Sequence, residues 1–429
     1  MVPLPEGKKA LEAQWVYKVK YNSDGSIKRF KDRLVVFCNH HVEGIDYNDT
    51  FAPVAKMVTI RTFLAVARRW ELHQIDVHNS FLYGDLYGLK QAPRCWFSKL
   101  ATTLKRYEFS QSYFDYSLFT LCKGQSRLHV LVYVDDLIII GNDFAAISTF
   151  KQYLSSCFHM KDLGVLKYFL GVEVARSQEG IFLSQWKYAL DIISEAGLLR
   201  AKPVDFLMEQ NQRLANSTSD LLHDSEHYRC LVGRLLYLLF TRPDLSFAVH
   251  ILSQFLREPR QDYWSTALRV VKYLKGSPGQ GILLGAESNL KLFVFLGNSP
   301  VSWKSKKQET VSRSSAEAEY RSMVVITCEL KWLKGLLASF GVDHSQSMEL
   351  FCDSQSALHL AHNPVFHERT KHIGIDCHFL RDVVLEGIIR MTYVSTTNQL
   401  ADIFTKVLGR REFEFLLRNL NILDLHAPT

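Results

Sequence analysis

Asp135 and Asp136 stand side by side within LHVLVYVDDLIIIG (Leu128 to Gly141), between two runs of β-branched and aliphatic residues. Apolar runs of this length and composition form strands, so the pair falls at the turn of a hairpin. The turn lacks the Asn-Gly or Asp-Gly chemistry that makes a tight hairpin easy. Two carboxylates walled by apolar residues repel each other and resist ionising together. A divalent cation removes that conflict, and hard oxygen ligands suit Mg²⁺. The plain alternative is a solvated acidic turn. A third acid, Asp76, follows Ile75 in HQIDVHNSFLYGDL, at the end of a short strand. Alone it would be a turn residue or a helix cap. With Asp135 and Asp136 it supplies what two-metal phosphoryl transfer needs, carboxylates on neighbouring strands.

Other elements must hold these acids in place. Trp15 to Lys20 alternates, Asn22-Ser23-Asp24-Gly25 turns, and Ile27 to Val36 returns as a second strand bearing Lys28, Arg29, Lys31 and Arg33. Such a strand is either a solvated edge or a clamp for a triphosphate. Ile60, Phe63, Leu64 and Ala67 predict a buried helix over Thr59 to Trp70. Further helices are expected from Trp96 to Tyr107, Ala145 to Phe158 and Gln185 to Leu199. MKDLGVLKYFLGVEV (Met160 to Val174) alternates into a strand, with Gly180 to Leu183 pairing back. Ala201 to Asp224 is a polar linker. Tyr228 to Phe255 gives two helices broken at Arg242-Pro243-Asp244, and Trp264, Leu268, Val271 and Leu274 mark a third.

With 429 residues, two or three domains are expected. Hydrophobic content of 47% and charge of 22% exclude wholesale disorder. The net charge of +7 is a mild bias towards polyanionic partners. Eight scattered cysteines without a C-x-x-C pair fit a reducing compartment. No apolar run reaches membrane-spanning length, because Asp135 and Asp136 interrupt the longest, and MVPLPEGKKA has no signal-peptide pattern.

Tyr133-Val134-Asp135-Asp136 between hydrophobic strands resembles the catalytic hairpin of reverse transcriptases. KVKYNSDGSIKRFKDRLVV, followed by EGIDYNDTFAPVAK, resembles the fingers of copia-type LTR retrotransposon reverse transcriptases. The resemblance implies that Lys31 and Arg33 bind triphosphate and that Gln91 lines the incoming-nucleotide site. It also implies that Asp76 is the first catalytic carboxylate and that Phe169-Leu170-Gly171 is the turn gripping the primer end. FCNHHV departs from the basic, Gly-containing loop usual in that family.

From Gly281 onwards a second set of acids follows. Val301 to Gln308 is expected to be a strand ending in a basic turn. Ser314 caps a long helix with Glu317 and Glu319 in its first turns. Asp353 ends a strand before a helix, and Asp402 lies near a late helix. By resemblance, Glu319, Asp353 and Asp402 match three of the four acidic metal ligands of a ribonuclease H fold. His372 falls in the segment that would support the scissile site. Ligand type alone admits zinc at His367, His372, Cys377 and His378, but their spacing fits no common zinc pattern.

Two departures stand out. Gly84-Asp85-Leu86 runs straight into Tyr87-Gly88-Leu89-Lys90-Gln91-Ala92-Pro93-Arg94, where relatives carry an intervening segment. Leu290-Lys291-Leu292 passes directly to Phe293-Val294-Phe295-Leu296-Gly297, without the strand and Asp that would give the first ribonuclease H carboxylate. The surviving Phe293 to Leu296 strand is expected to join a smaller sheet.

The expected fold is a multidomain α+β and α/β chain. Reverse transcriptase fingers and palm take 11–175, thumb and helical connection 176–280, and an incomplete ribonuclease H-like domain lacking its first strand 281–420. LDLHAPT resembles a polyprotein terminus. The implied activity is RNA-directed DNA polymerisation with two Mg²⁺ per site. Its partners would be RNA template, DNA primer, RNA-DNA hybrid and deoxynucleotide triphosphates, with no membrane, in a cytoplasmic particle or the nucleus. The alternative is a non-catalytic relic that still binds nucleic acid.

Overall fold

The structure is a computed structural model that describes residues 12–21, 24–37, 41–45, 47–78, 88–208, 214, 217–285, 292–293, 295–296, 299–303, 312, 314–362 and 374–424. The join at 83–87, together with His367 and His372, lies outside the described residues. The fold is mixed α/β and divides into two compact units, Met1–Lys56 with Trp70–Leu166, and Met57–Arg69 with Lys167–Thr429.

In the first unit, β1 (Ala13–Tyr21) and β2 (Ile27–Val36) form the expected basic hairpin. The next helix in the chain, α1 (Met57–Val66), belongs to the second unit. A six-stranded antiparallel sheet then follows, in the order β4-β5-β6-β7-β3-β8. Its strands are β3 (Glu71–Val77), β4 (Ser110–Gln111), β5 (Leu118–Lys123), β6 (Ser126–Tyr133), β7 (Asp136–Gly141) and β8 (Met160–Val165). Helices α2 (Ala92–Arg106) and α3 (Phe144–Cys157) pack on one face through Leu100, Leu104, Ile147, Phe150 and Leu154. Leu137, Ile138, Ile139 and Ile140 are all fully buried. Burial on both faces is why β7 reads as an unbroken apolar run rather than an alternating one.

Among the described residues the second unit holds three sheets. The largest runs β18-β12-β11-β10-β9, every pair antiparallel. It contains β9 (Tyr168–Phe169), β10 (Val172–Arg176), β11 (Gly180–Ser184), β12 (Gln280–Gly285) and β18 (Ile422–Asp424). Between β11 and β12 come α4 (Trp186–Glu195), α5 (Ser225–Leu238), α6 (Ser246–Ser253) and α7 (Gln261–Gly276), which share one core. As Pro243 foretold, α5 and α6 are separated by a 3₁₀ turn, Pro243–Leu245. There Arg242 and Asp244 form a buried two-pronged ion pair, with Nε–Oδ1 at 2.9 Å and Nη2–Oδ2 at 2.7 Å. Tyr273 on α7 donates to Asp244, and Arg242 donates to the Ser277 carbonyl.

After β12 come β13 (Leu292–Phe293), β14 (Phe295–Leu296) and β15 (Ser299–Pro300), then α8 (Ser315–Ser339), capped by Ser314 Oγ as expected. The remainder comprises β16 (Met348–Cys352), α9 (Gln355–His362), α10 (Gly374–Leu385), β17 (Ile389–Tyr393) and α11 (Arg410–Asn419). β16 and β17 are a parallel pair.

Three expectations need correction. Met160 to Val174 is three short strands, because Gly164 has φ +75° and Leu170-Gly171 form a turn. Val301–Trp303 is not a strand, since the buried Arg61 guanidinium on α1 takes the Val301 carbonyl at 2.7 Å. Phe293 to Leu296 does join a smaller sheet, but not as a single strand. It doubles back, with Phe293 paired to Phe295, into a small sheet with β15.

Candidate active sites

Register brings the first set of acids together. Asp76 on β3 and Asp136 on β7 are direct cross-strand partners, so their side chains leave the same face of the sheet. Asp135 sits in the two-residue turn between Tyr133 and Asp136, and its carbonyl accepts from Val77 N at 3.0 Å. The turn's first residue, Val134, has φ +57°. A two-residue hairpin favours Gly where φ is positive, so a valine there holds strain of roughly 1–3 kcal/mol. Trp96, buried against Phe158, donates its indole N–H to the Val134 carbonyl at 2.8 Å. Burial, with Asp135 and Asp76 adding to it against a hydrogen bond from Gln74, pushes the Asp136 carboxyl up to about 6. The Gln74 amide donates to Asp136 Oδ1 at 3.3 Å. These oxygen donors, with their repulsion and partial burial, fit a divalent cation. Sequence reasoning missed Gln74, and named Trp96 only as the start of a supporting helix, without its bond to the turn. Gln74 lies two residues before Asp76 and therefore on the same strand face, which was a readable signal.

The basic hairpin is denser than its second strand suggested. Lys18 faces Lys31 and Lys20 faces Arg29 across the two strands, and Arg33 lies on that same face. Like charges directly opposite destabilise a bare hairpin and favour an anion between them. Burial and the neighbouring Arg33, Lys20 and Arg29 lower the Lys31 pKa, while Asp76 opposes them, so Lys31 lies within electrostatic reach of the first carboxylate. The side chain of Lys28 lies outside the described residues. Gly88, at φ +95°, approaches β2 so closely that a Cβ would stand 2.3 Å from the Val36 carbonyl. Three residues on, Gln91 caps α2, its Oε1 buried with no hydrogen-bond partner among the described residues.

In the second unit, Phe169 pairs with Val172 around a tight turn whose residues Leu170 and Gly171 have φ +50° and +72°. Positive φ at both positions defines the hairpin turn that matches strand twist. Phe169 is buried, and the Tyr237 hydroxyl donates to the Leu170 carbonyl.

Two acids of the second set come together. Glu319 on α8 and Asp353, just after β16, bring a carboxylate oxygen each within 4.8 Å of one another and of Cys352 Sγ. Burial, then Asp353 and Asp402, raise the Glu319 pKa, with Lys406 opposing. Asp402, buried in a 3₁₀ turn at Leu400–Phe404, pairs with Lys406 at 2.9 Å. The carboxylate oxygens of Glu319 and Asp353 fit a hard cation, whereas the Cys352 thiol is a softer neighbour, and Asp402 lies within electrostatic reach of Glu319. Of the proposed zinc set only Cys377 and His378 are described, and consecutive helix positions do not face one ligand.

The chain matches the family model for reverse transcriptase (RNA-dependent DNA polymerase) in two segments, residues 1–86 and 85–210. It is 40% identical over 474 residues to the retrovirus-related Pol polyprotein from transposon RE2 of Arabidopsis thaliana, covering 99% of this chain and 33% of that protein. To the corresponding RE1 polyprotein of the same plant it is 40% identical, covering 96% of this chain and 32% of the relative. To the TNT 1-94 polyprotein of Nicotiana tabacum it is 33% identical, covering 96% and 36%. The chain belongs to the copia-type transposon Pol polyproteins and carries their reverse transcriptase domain. It spans about a third of the length of these curated relatives.

Proposed function

We propose that the first unit is the fingers and palm of an RNA-directed DNA polymerase, with Asp76, Asp135 and Asp136 as metal ligands. The observation that carries this reading is the Asp76–Asp136 cross-strand register, with Asp135 at the adjoining turn. When bound, two Mg²⁺ would neutralise charge on the attacking and leaving oxygens of phosphoryl transfer. The protein's part is to hold two carboxylates on the β6–β7 hairpin and a third on the neighbouring β3, keep Asp136 in place through Gln74, and offer Lys31 and Arg33 to a deoxynucleotide triphosphate. Gln91 would face that nucleotide. Phe169, Leu170 and Gly171 would hold the primer end, ahead of a thumb and connection over 176–280.

The region 281–420 is proposed as a ribonuclease H-like domain with Glu319, Asp353 and Asp402 as its remaining ligands. With its first-strand acid missing, cleavage of an RNA-DNA hybrid in Mg²⁺ or Mn²⁺ is expected to be undetectable above a Glu319→Gln control. Cleavage that this control abolishes would overturn the loss and imply a substitute ligand.

Primer extension on an RNA template should require Mg²⁺ and vanish in Asp135→Asn; partial activity in that variant contradicts the assignment. The second reading, a relic that binds nucleic acid without copying it, draws on the alignments. The family match breaks in two at Asp85–Leu86, and the 474-residue alignment exceeds the 429 residues of the chain. An inactive parent that still binds hybrid would favour the relic.

A further inference from the structure

Asp402 has both carboxylate oxygens engaged by one partner. Lys406 Nζ lies 2.9 Å from Oδ1 and 2.9 Å from Oδ2. The pairing is built into the backbone. The turn at Leu400–Phe404 continues until Lys406 N donates to the Asp402 carbonyl at 2.9 Å, and this i, i+4 spacing sets the ammonium over the carboxylate. The Asp402 side chain is 11% exposed and that of Lys406 50%, so the pair bridges the buried cluster and solvent. A buried carboxylate needs a cation, and two cations contending for the same oxygens repel each other.

We infer that Lys406 is a positioning residue that acts as the resident counter-cation of Asp402, fixing that carboxylate and competing with a divalent ion for its oxygens. The inference rests on the reading of Glu319, Asp353 and Asp402 as metal ligands. It predicts a site that is ordered without metal and binds metal weakly because Lys406 must first let go.

The test is Mn²⁺ binding, followed by electron paramagnetic resonance of the free ion, on the full chain with Asp135→Asn and Asp136→Asn silencing the other carboxylates. Lys406→Met and Lys406→Gln should each bind Mn²⁺ about five- to tenfold more tightly than this parent. Lys406→Arg, which keeps the charge, should retain the parent's affinity. Two neutral replacements at a half-exposed side chain guard against a folding defect in either one. If Asp353→Asn abolishes binding while neither neutral variant tightens it, Lys406 is no competitor, and the inference fails while the metal reading stands. If Asp353→Asn leaves Mn²⁺ binding unchanged, the metal reading itself is wrong and the inference falls with it.

Discussion

The indole N–H of Trp96 donates to the carbonyl of Val134 at 2.8 Å, fastening the first turn of α2 to the tip of the acidic hairpin. Val134 is the residue with φ +57°, so the helix restrains the one backbone position that would otherwise relax. Trp96→Phe keeps most of the packing against Phe158 and removes the donor. The expected loss is about 1–2 kcal/mol in urea denaturation, with a larger proportional fall in primer extension. Unchanged stability and unchanged extension would show that the bond does not restrain the turn.

Asp136 predicts an unusual pH dependence. Its carboxyl holds a proton to about pH 6 in the folded chain, and lets go near 3.8 when unfolded. The folded state binds more protons in that window, so this residue's contribution to stability falls as pH rises through it. Asp136→Asn should therefore be more stable than the parent at pH 8, by about 1–2 kcal/mol once solvent screening of this partly exposed carboxylate is counted, with the difference shrinking towards pH 4. Thermal melts in a pH series, with and without Mg²⁺, measure this. The metal should narrow the gap, and a variant less stable at pH 8 would refute it.

His129 has the opposite sign. It is fully buried and stacked on Trp70, with ring centroids 5.3 Å apart, and burial pushes its imidazole down to about 4. The unfolded chain takes up that proton near pH 6.5, so stability is lost as pH falls from 6.5 towards 4. His129→Phe preserves a stack and should abolish a loss on the order of 3 kcal/mol over that window. Parallel pH profiles for parent and variant would exclude His129 as the source.

Arg242 and Asp244 form the least solvent-exposed ion pair among the described residues, at 1% and 0% side-chain exposure. Asp244→Asn leaves a guanidinium buried against a neutral partner, and should cost about 3–5 kcal/mol. Arg242→Met combined with Asp244→Leu removes both charges and should recover much of that loss. Equal destabilisation of the single and double variants would assign the cost to the turn backbone instead of the charges.

The sequence was legible wherever local pattern and burial agreed. The two hairpins, the Ser314 cap and the break at Pro243 all follow from side-chain period or turn chemistry within a few residues. The three acids of the first set could be grouped because each sits at a strand end, but their register could not be. Asp76 opposite Asp136 depends on how β3 enters the sheet between β7 and β8. Three features carried no local signal at all. The Val301 segment is claimed by a guanidinium 240 positions away in sequence. Phe293 and Phe295 have strand composition yet pair with each other. Lys406 reads as a surface lysine until the turn at Asp402 brings it back over the acid.

Strand β18 lies against β12, with Ile422 paired to Ile282, Leu423 to Gly281 and Asp424 to Gln280. The five-stranded sheet therefore stays open at that edge while some 140 further residues are synthesised. During translation the β12 edge must wait with its backbone groups facing water or a chaperone, since exposed edges invite pairing with foreign strands. A ribosome that stalls before Ile422 would release a chain whose second unit has an unfilled strand position, a species prone to aggregate rather than one with merely reduced activity.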